Sequence, residues 1–148
     1  MNRYLEDLQV GDKFETGSYS MTREDVLAFA RQWDPQAIHS EGASDLIASG
    51  WHTAAAVMKV TAEAKPLGDV EVRGLGVSEM TWPRPVRPGD TVRVEMEVTG
   101  VRPSKSQAGY GIVNVTSTAY NQRGEVVFTV RPNLWVPRRP GVGSTDGH

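Results

Sequence analysis

Ser49-Gly50-Trp51-His52-Thr53-Ala54-Ala55-Ala56-Val57-Met58-Lys59-Val60-Thr61-Ala62-Glu63-Ala64-Lys65-Pro66 is the most helix-like apolar stretch of the sequence. Trp51, Ala54, Ala55, Met58 and Ala62 recur at helical spacing, which predicts one apolar face. Ser49 is suited to cap the first turn, and Pro66 denies the helical conformation to Lys65 before it. Four alanines, at 54, 55, 56 and 62, leave little side chain between this helix and its neighbour. A helix of about 16 residues, spanning ~24 Å, is therefore expected to lie buried against a sheet.

The residues after Gly68 supply that sheet. Val72 to Trp82 reads as a strand, and the Pro-rich Pro83-Arg84-Pro85-Val86-Arg87-Pro88-Gly89-Asp90 as a connection. Val92, Val94, Met96 and Val98 then alternate with Arg93, Glu95 and Glu97, the period of a half-exposed strand. Beyond a loop from Arg102 to Gly109, Tyr110–Asn121 and Val126–Val136 flank the tight turn Gln122-Arg123-Gly124-Glu125 as a hairpin.

Upstream of the long helix, Lys13 to Tyr19 is expected to form a first strand. Thr22 opens a shorter helix, with Asp25 three residues on and Met21 placed to pack on Val26. Its apolar face is Val26, Phe29, Ala30 and Trp33, and Pro35 ends it by Asp34. Asp34 to Ala48 is polar and should be loop or broken turns. The order strand, helix, loop, long helix and four antiparallel strands implies an α+β hotdog fold, one curved sheet wrapped around one long central helix. Strands of 8 to 11 residues, at ~3.3 Å each, match that helix in length. A single domain over 1–137 and a flexible Pro/Gly/Ser-rich tail over 138–148 are expected.

Composition narrows the function classes. With 148 residues, 39% of them hydrophobic and 23% charged, one globular domain can bury a core. A formal net charge of −2 leaves no basic excess for a nucleic acid or an anionic membrane surface. The absence of cysteine removes disulfides and thiol nucleophiles. Acidic Glu6 and Asp7 stand where a signal peptide would be apolar, and no apolar run approaches the ~20 residues of a membrane span. A soluble cytoplasmic protein is the expectation.

Candidate chemistry concentrates at two places. Asp34 and His39 stand five residues apart in the polar loop, and Ser49-Gly50 opens the long helix, whose first turn offers free backbone N–H groups and the positive end of its dipole. A carboxylate and an imidazole within reach of one water can exchange protons with it on one face. The helix start can stabilise a developing oxyanion. Asp34 is favoured as base and His39 as the partner that orients water, with the individual transfers open to reversal. Taken singly, each residue has a plainer role. An aspartate before proline usually ends a helix or starts a turn, and Ser-Gly is an ordinary cap. His52 reads as a structural or interface residue; no His-x-x-x-His spacing suggests a metal, and neither metal nor cofactor is expected. Trp33, Trp51 and Trp82 read as core or pocket wall. Arg84, Arg87 and Arg102 are candidates for a phosphate contact.

Asp34-Pro35-Gln36-Ala37-Ile38-His39-Ser40-Glu41 resembles the Asp-x-(Asn/Gln)-x-x-His loop of the MaoC-like acyl dehydratases, or (R)-specific enoyl-CoA hydratases. Ile47-Ala48-Ser49-Gly50-Trp51-His52-Thr53-Ala54 resembles the start of their central helix, and Pro83 to Asp90 the link between their second and third strands. The resemblance runs from about Tyr4 to Val136. It implies reversible addition of water to a 2-enoyl thioester of coenzyme A or of acyl-carrier protein, giving a 3-hydroxyacyl thioester. It implies Asp34 and His39 at the water, the Gly50 amide at the thioester oxygen, and Ser49 in the surrounding network. Trp33, Ser49 and Trp51 would then bind substrate, in a homodimer or a dimer of dimers. Two other readings stay open: a hotdog acyl-CoA thioesterase, whose carboxylate would activate water against the carbonyl itself, and a non-catalytic acyl-thioester-binding subunit, favoured because tighter hydratase loops carry a small residue at the place of Trp33 and Asn-Pro at Gln36-Ala37.

Overall fold

The computed structural model describes residues 1–141. A 3-10 turn at Leu5–Asp7 leads to strands β1 (Lys13–Glu15) and β2 (Tyr19–Ser20), helix α1 (Arg23–Trp33), a 3-10 turn at Ala37–His39 and helix α2 (Gly50–Ala64). Strands β3 (Arg73–Thr81), β4 (Thr91–Pro103), β5 (Tyr110–Tyr120) and β6 (Val126–Pro137) complete the chain. The sheet runs β1-β4-β5-β6-β3, all antiparallel, and β2 also pairs with β4. This is the hotdog fold, with α2 as the central helix. Among the described residues no helix is long and apolar enough to cross a membrane.

The expected first strand is two short ones. Both pair with β4, and at the break the Thr16 side chain accepts from the Val94 N–H in place of a backbone carbonyl. β4 and β5 alternate as the sequence predicts: Val92, Val94, Met96 and Val98 are buried on one face, as are Val113, Val115, Ser117 and Ala119. In β6 the alternation breaks. Ala119 pairs with Phe128 and Tyr120 with Val126, so Val127 is the extra residue of a bulge, and consecutive Val127 and Phe128 are both buried.

α1 keeps its expected start and end. Thr22 accepts from the Asp25 N–H, Met21 and Val26 are fully buried, and Asp34 closes the last turn through its N–H to the Ala30 carbonyl. The buried face of α2 differs from the expected one. His52, Thr53, Ala56, Val57 and Val60 are buried, whereas Trp51 and Met58 are 60% and 65% exposed. The Ala54–Met58–Ala62 side of the helix instead borders an apolar groove. Small side chains at helical spacing marked a face that stands free of the sheet, and the branched Thr53, Val57 and Val60 took the core.

Strand β6 runs to Pro137, and the first residues of the expected tail belong to the fold. The Arg138 N–H donates to the Gly109 carbonyl, its guanidinium pairs with Glu6, and Arg139 bonds Glu6 and Asp7. Residues 142–148 lie outside the described residues.

The two helices meet through rings. His52 stacks on Phe29 of α1, centroids 4.8 Å apart and planes 4° from parallel, with Tyr19 edge-on at 6.5 Å. Its buried Nδ1 finds no hydrogen-bond partner among the described residues. Burial holds the imidazole below the usual histidine range, although the Asp25 carboxylate, itself bonded by the Tyr19 hydroxyl, pulls the other way. The unfolded chain therefore binds the His52 proton more readily than the folded one. Full stability is present above the ordinary histidine value and declines as pH falls from there to the lower folded value. The melting temperature should be lower at pH 5.5 than at pH 7.5, and His52→Phe, which keeps the stack, should reduce that difference.

Candidate active site

Asp34, His39 and Ser49 come together where α1 ends and α2 begins. Asp34 follows the last residue of α1, turned out of the helix by Pro35, and Ser49 is the N-cap of α2. The Ser49 hydroxyl is fully buried; it donates to Asp34 Oδ2 at 2.7 Å and accepts from the Trp51 N–H at 3.2 Å. One side chain thus both caps α2 and holds the carboxylate. Gln36 holds the other oxygen, its Nε2 donating to Asp34 Oδ1 at 2.7 Å.

The five-residue spacing is met by the 3-10 turn. Gln36 precedes the turn and its carbonyl accepts from the His39 N–H, which swings His39 back beside Asp34. The imidazole is 5% exposed. Its Nδ1 lies 2.7 Å from the Ile47 carbonyl, and a carbonyl only accepts, so Nδ1 carries the hydrogen. Nε2 then carries the lone pair of the neutral ring and faces Asp34 Oδ2 at 3.5 Å.

The hydrogen bond from Ser49, followed by that from Gln36, holds the Asp34 carboxyl below the usual carboxylate range against the opposing effect of burial, and a proton on His39 would lower it further. With the imidazole neutral, the carboxylate and the ring lone pair are two acceptors 3.5 Å apart, and a water seated beside both can donate one hydrogen to each.

A Cβ built on Gly50 would lie 2.9 Å from Cε2 and Nε1 of Trp82, so the indole fills the space beside its Cα. The indole Nε1–H donates to the Gly50 carbonyl at 2.8 Å. Trp82 stands edge-on to Trp51 at 5.5 Å and tilted on Phe128 at 5.6 Å. Trp33, at 67% exposed, is not core and does not border the α2 groove, and Trp51, at 60% exposed, stands edge-on to Trp82.

Sequence reading passed over Gln36 and the Ile47 carbonyl as partners of Asp34 and His39. Gln36 carried a signal, being the amide of the loop pattern; a carbonyl carries none, since every residue has one.

The loop is fastened from outside by residues 83–90. The Ala48 N–H donates to the Val86 carbonyl at 2.8 Å, and Arg87 grips Asp45 through two bonds of 2.9 Å. Arg87 is thus committed to the loop rather than standing free for a phosphate, and Arg84 bonds the Val126 carbonyl.

Ser49→Ala tests the double duty of the hydroxyl. Loss of the cap should cost about 1 kcal/mol, visible in the denaturant midpoint, and the Asp34 carboxyl, followed by NMR titration, should move up toward its ordinary range. Gly50→Ala gains up to ~1 kcal/mol of helix propensity but overpacks against Trp82, which costs roughly 1–3 kcal/mol; net destabilisation is expected.

Comparisons with known proteins agree with this architecture. The MaoC like domain matches residues 7–121. Protein YdeM of Bacillus subtilis (strain 168) is 33% identical over 141 residues, covering 90% of this chain and 99% of that one. Among solved structures, the MaoC-like dehydratase from Rhodospirillum rubrum superposes with a TM-score of 0.87 at 39% identity, over 94% of this chain and 99% of that one. The R-hydratase PhaJ1 from Pseudomonas aeruginosa superposes with a TM-score of 0.74 at 25% identity, over 93% and 88%. With its hotdog sheet, its Asp34–His39 loop and a match over most of its length, the chain belongs to the MaoC-like family.

Proposed function

We propose that this protein adds water reversibly to 2-enoyl thioesters, of coenzyme A or of acyl-carrier protein, to give 3-hydroxyacyl thioesters. The observation that carries the reading is the pair of acceptors at 3.5 Å, Asp34 Oδ2 and His39 Nε2, with the second nitrogen of His39 already committed to the Ile47 carbonyl. A water donating one hydrogen to each acceptor presents its oxygen to C3 of a bound enoyl group.

The hydrogen bonds that lower the Asp34 carboxyl also weaken it as a base, which favours the reverse of the division of labour expected from sequence. In this reading His39 Nε2 takes the proton as the water oxygen bonds to C3. Asp34, still ionised, holds the second hydrogen and offsets the imidazolium charge. The electron pair of the C2–C3 double bond moves to the thioester as an enolate. His39 then returns its proton to C2 on the same face, and the sum is one water added. The Gly50 N–H, in the first turn of α2 at the positive end of the helix, is the donor proposed for the enolate oxygen.

The match to a MaoC-like domain and the similarity to an R-hydratase support this class of reaction. Crotonyl-CoA should lose the absorbance of its conjugated thioester in the presence of the protein, and Asp34→Ala and His39→Ala should each reduce the rate by about 10²–10⁴-fold. Variants as active as wild type would remove the dyad from the mechanism. Thiol release from a saturated acyl-CoA would move the reading to a thioesterase.

A second copy of the chain is the proposed partner. β3 is the sheet's outer strand beyond β6, and it exposes Leu75 and Val77 at 55% and 50%. An apolar edge of this kind invites strand pairing. Sedimentation should show a dimer, and charge placed on that strand by Leu75→Glu together with Val77→Lys should shift it toward monomer.

A further inference from the structure

A large apolar groove lies beside the dyad without reaching it. Its volume is about 730 Å³, and its walls include Ala54, Val57 and Met58 of α2, Met80 of β3, and Phe128 and Val130 of β6. A space of roughly 300–1,000 Å³ takes a small organic ligand, so volume does not limit what it could hold. Asp34, His39, Ser49 and Gly50 are not among its walls.

An aromatic pair stands between the two. Phe128 is fully buried, borders the groove, and meets Trp82 at 5.6 Å. Trp82 fills the space beside the Gly50 Cα and is fastened there by its bond to the Gly50 carbonyl and by the edge of Trp51. From the helix start to the groove the sequence of contacts is therefore Gly50, Trp82, Phe128, cavity. The indole has a hydrogen bond and two ring contacts to lose on leaving this position, so it does not stand aside freely. Below it, the groove is lined by side chains that suit an aliphatic tail and little else.

We propose that Trp82 and Phe128 form a plug that closes the groove off from the site and sets the acyl length the protein accepts: short acyl groups bind in the intact protein, and longer ones enter the groove once Trp82 is removed. The inference rests on the acyl-thioester reading above. The plug acts on the tail of the substrate, and because Trp82 also touches Gly50, its effect is read as a ratio of affinities as well as in rate.

Butyryl-CoA and octanoyl-CoA, which lack the double bond, are titrated calorimetrically into wild type, Trp82→Ala and the double variant Trp82→Ala/Ala54→Phe. Initial rates with crotonyl-CoA and 2-octenoyl-CoA are measured beside them. Wild type should bind butyryl-CoA at least as tightly as octanoyl-CoA. Trp82→Ala should move the ratio of affinities at least tenfold toward octanoyl-CoA, and Ala54→Phe, which refills the groove from α2, should return it toward wild type. A wild type that prefers octanoyl-CoA overturns the proposal, as does an unchanged ratio in folded Trp82→Ala or a shift that survives Ala54→Phe. Should the alanine variant fail to fold, Trp82→Leu and Phe128→Leu each open part of the plug and are judged by the same ratio. If the ratio shifts as expected but wild type does not hydrate crotonyl-CoA, the hydratase reading falls and the plug stands. If no acyl-CoA binds to any of the proteins, both fall.

Discussion

The bond from Ser49 to Asp34 joins the end of one helix to the start of the other, and the site exists only where those ends meet. Asp34 belongs to the termination of α1 and Ser49 to the initiation of α2, with 14 residues of loop and turn between them. The cost of closing such a segment is entropic and grows slowly with its length. Here several bonds share it: Gln36 to Asp34, His39 to the Ile47 carbonyl, the Ile47 N–H to the Ile38 carbonyl, and the Ala48 N–H to the Val86 carbonyl. The His52–Phe29 stack sets the approach of the helices one turn deeper. A functional loop is thereby held by its two helices, and the geometry of Asp34 and His39 follows from helix ends rather than from the loop's own preferences.

The connection 83–90 supports the same junction from the sheet side. Asp90 is buried, and its oxygens accept from the Arg87 N–H at 2.9 Å and from Gln122 Nε2 at 2.8 Å, with Arg123 at 3.6 Å. Its backbone accepts from the Met21 N–H, which fixes the residue just before the α1 cap. The Arg87–Asp45 pair is largely exposed and, like other surface ion pairs, contributes at most about 1 kcal/mol. The backbone bond between Met21 and Asp90 fixes the start of α1, and Asp45–Arg87 registers the loop.

The elements were legible where one local signal sufficed. Period-2 alternation located β4 and β5, and Thr22, Pro35, Ser49 and Pro66 marked helix ends through caps and through proline's exclusion of the preceding residue from the helix. Asp34, His39 and Ser49 were legible as a group because the loop pattern and the helix start carry a family's spacing. What sequence did not disclose were matters decided by tertiary contact. The exposed side of α2 is as apolar as the buried one, so periodicity pointed to the wrong face. Trp33 and Trp51 looked like core or pocket wall, yet they are 67% and 60% exposed. Nor does anything local say that Trp82, 32 residues on, packs against Gly50.

On the proposed reading, Trp82 bears on how far chemistry and chain length are separable along one helix. The start of α2 carries Ser49 and Gly50, while its free side, from Ala54 through Met58 to Ala62, forms the groove wall one turn and more away. Substitutions at sites more than about 7–10 Å apart with no shared partner act independently, so Met58 or Ala62 can be altered without touching the proton chemistry. Trp82 lacks that independence, because it shares the Gly50 carbonyl with the helix start and shares Phe128 with the groove. A change there alters the tail's path and, through the peptide that follows Gly50, the first turn of α2. Phe128 reaches the groove from β6, where the bulge at Val127 turns it inward and no bond ties it to the helix. A change at Trp82 therefore reaches the groove and the first turn of α2 directly, whereas one at Phe128 reaches the helix start only through Trp82.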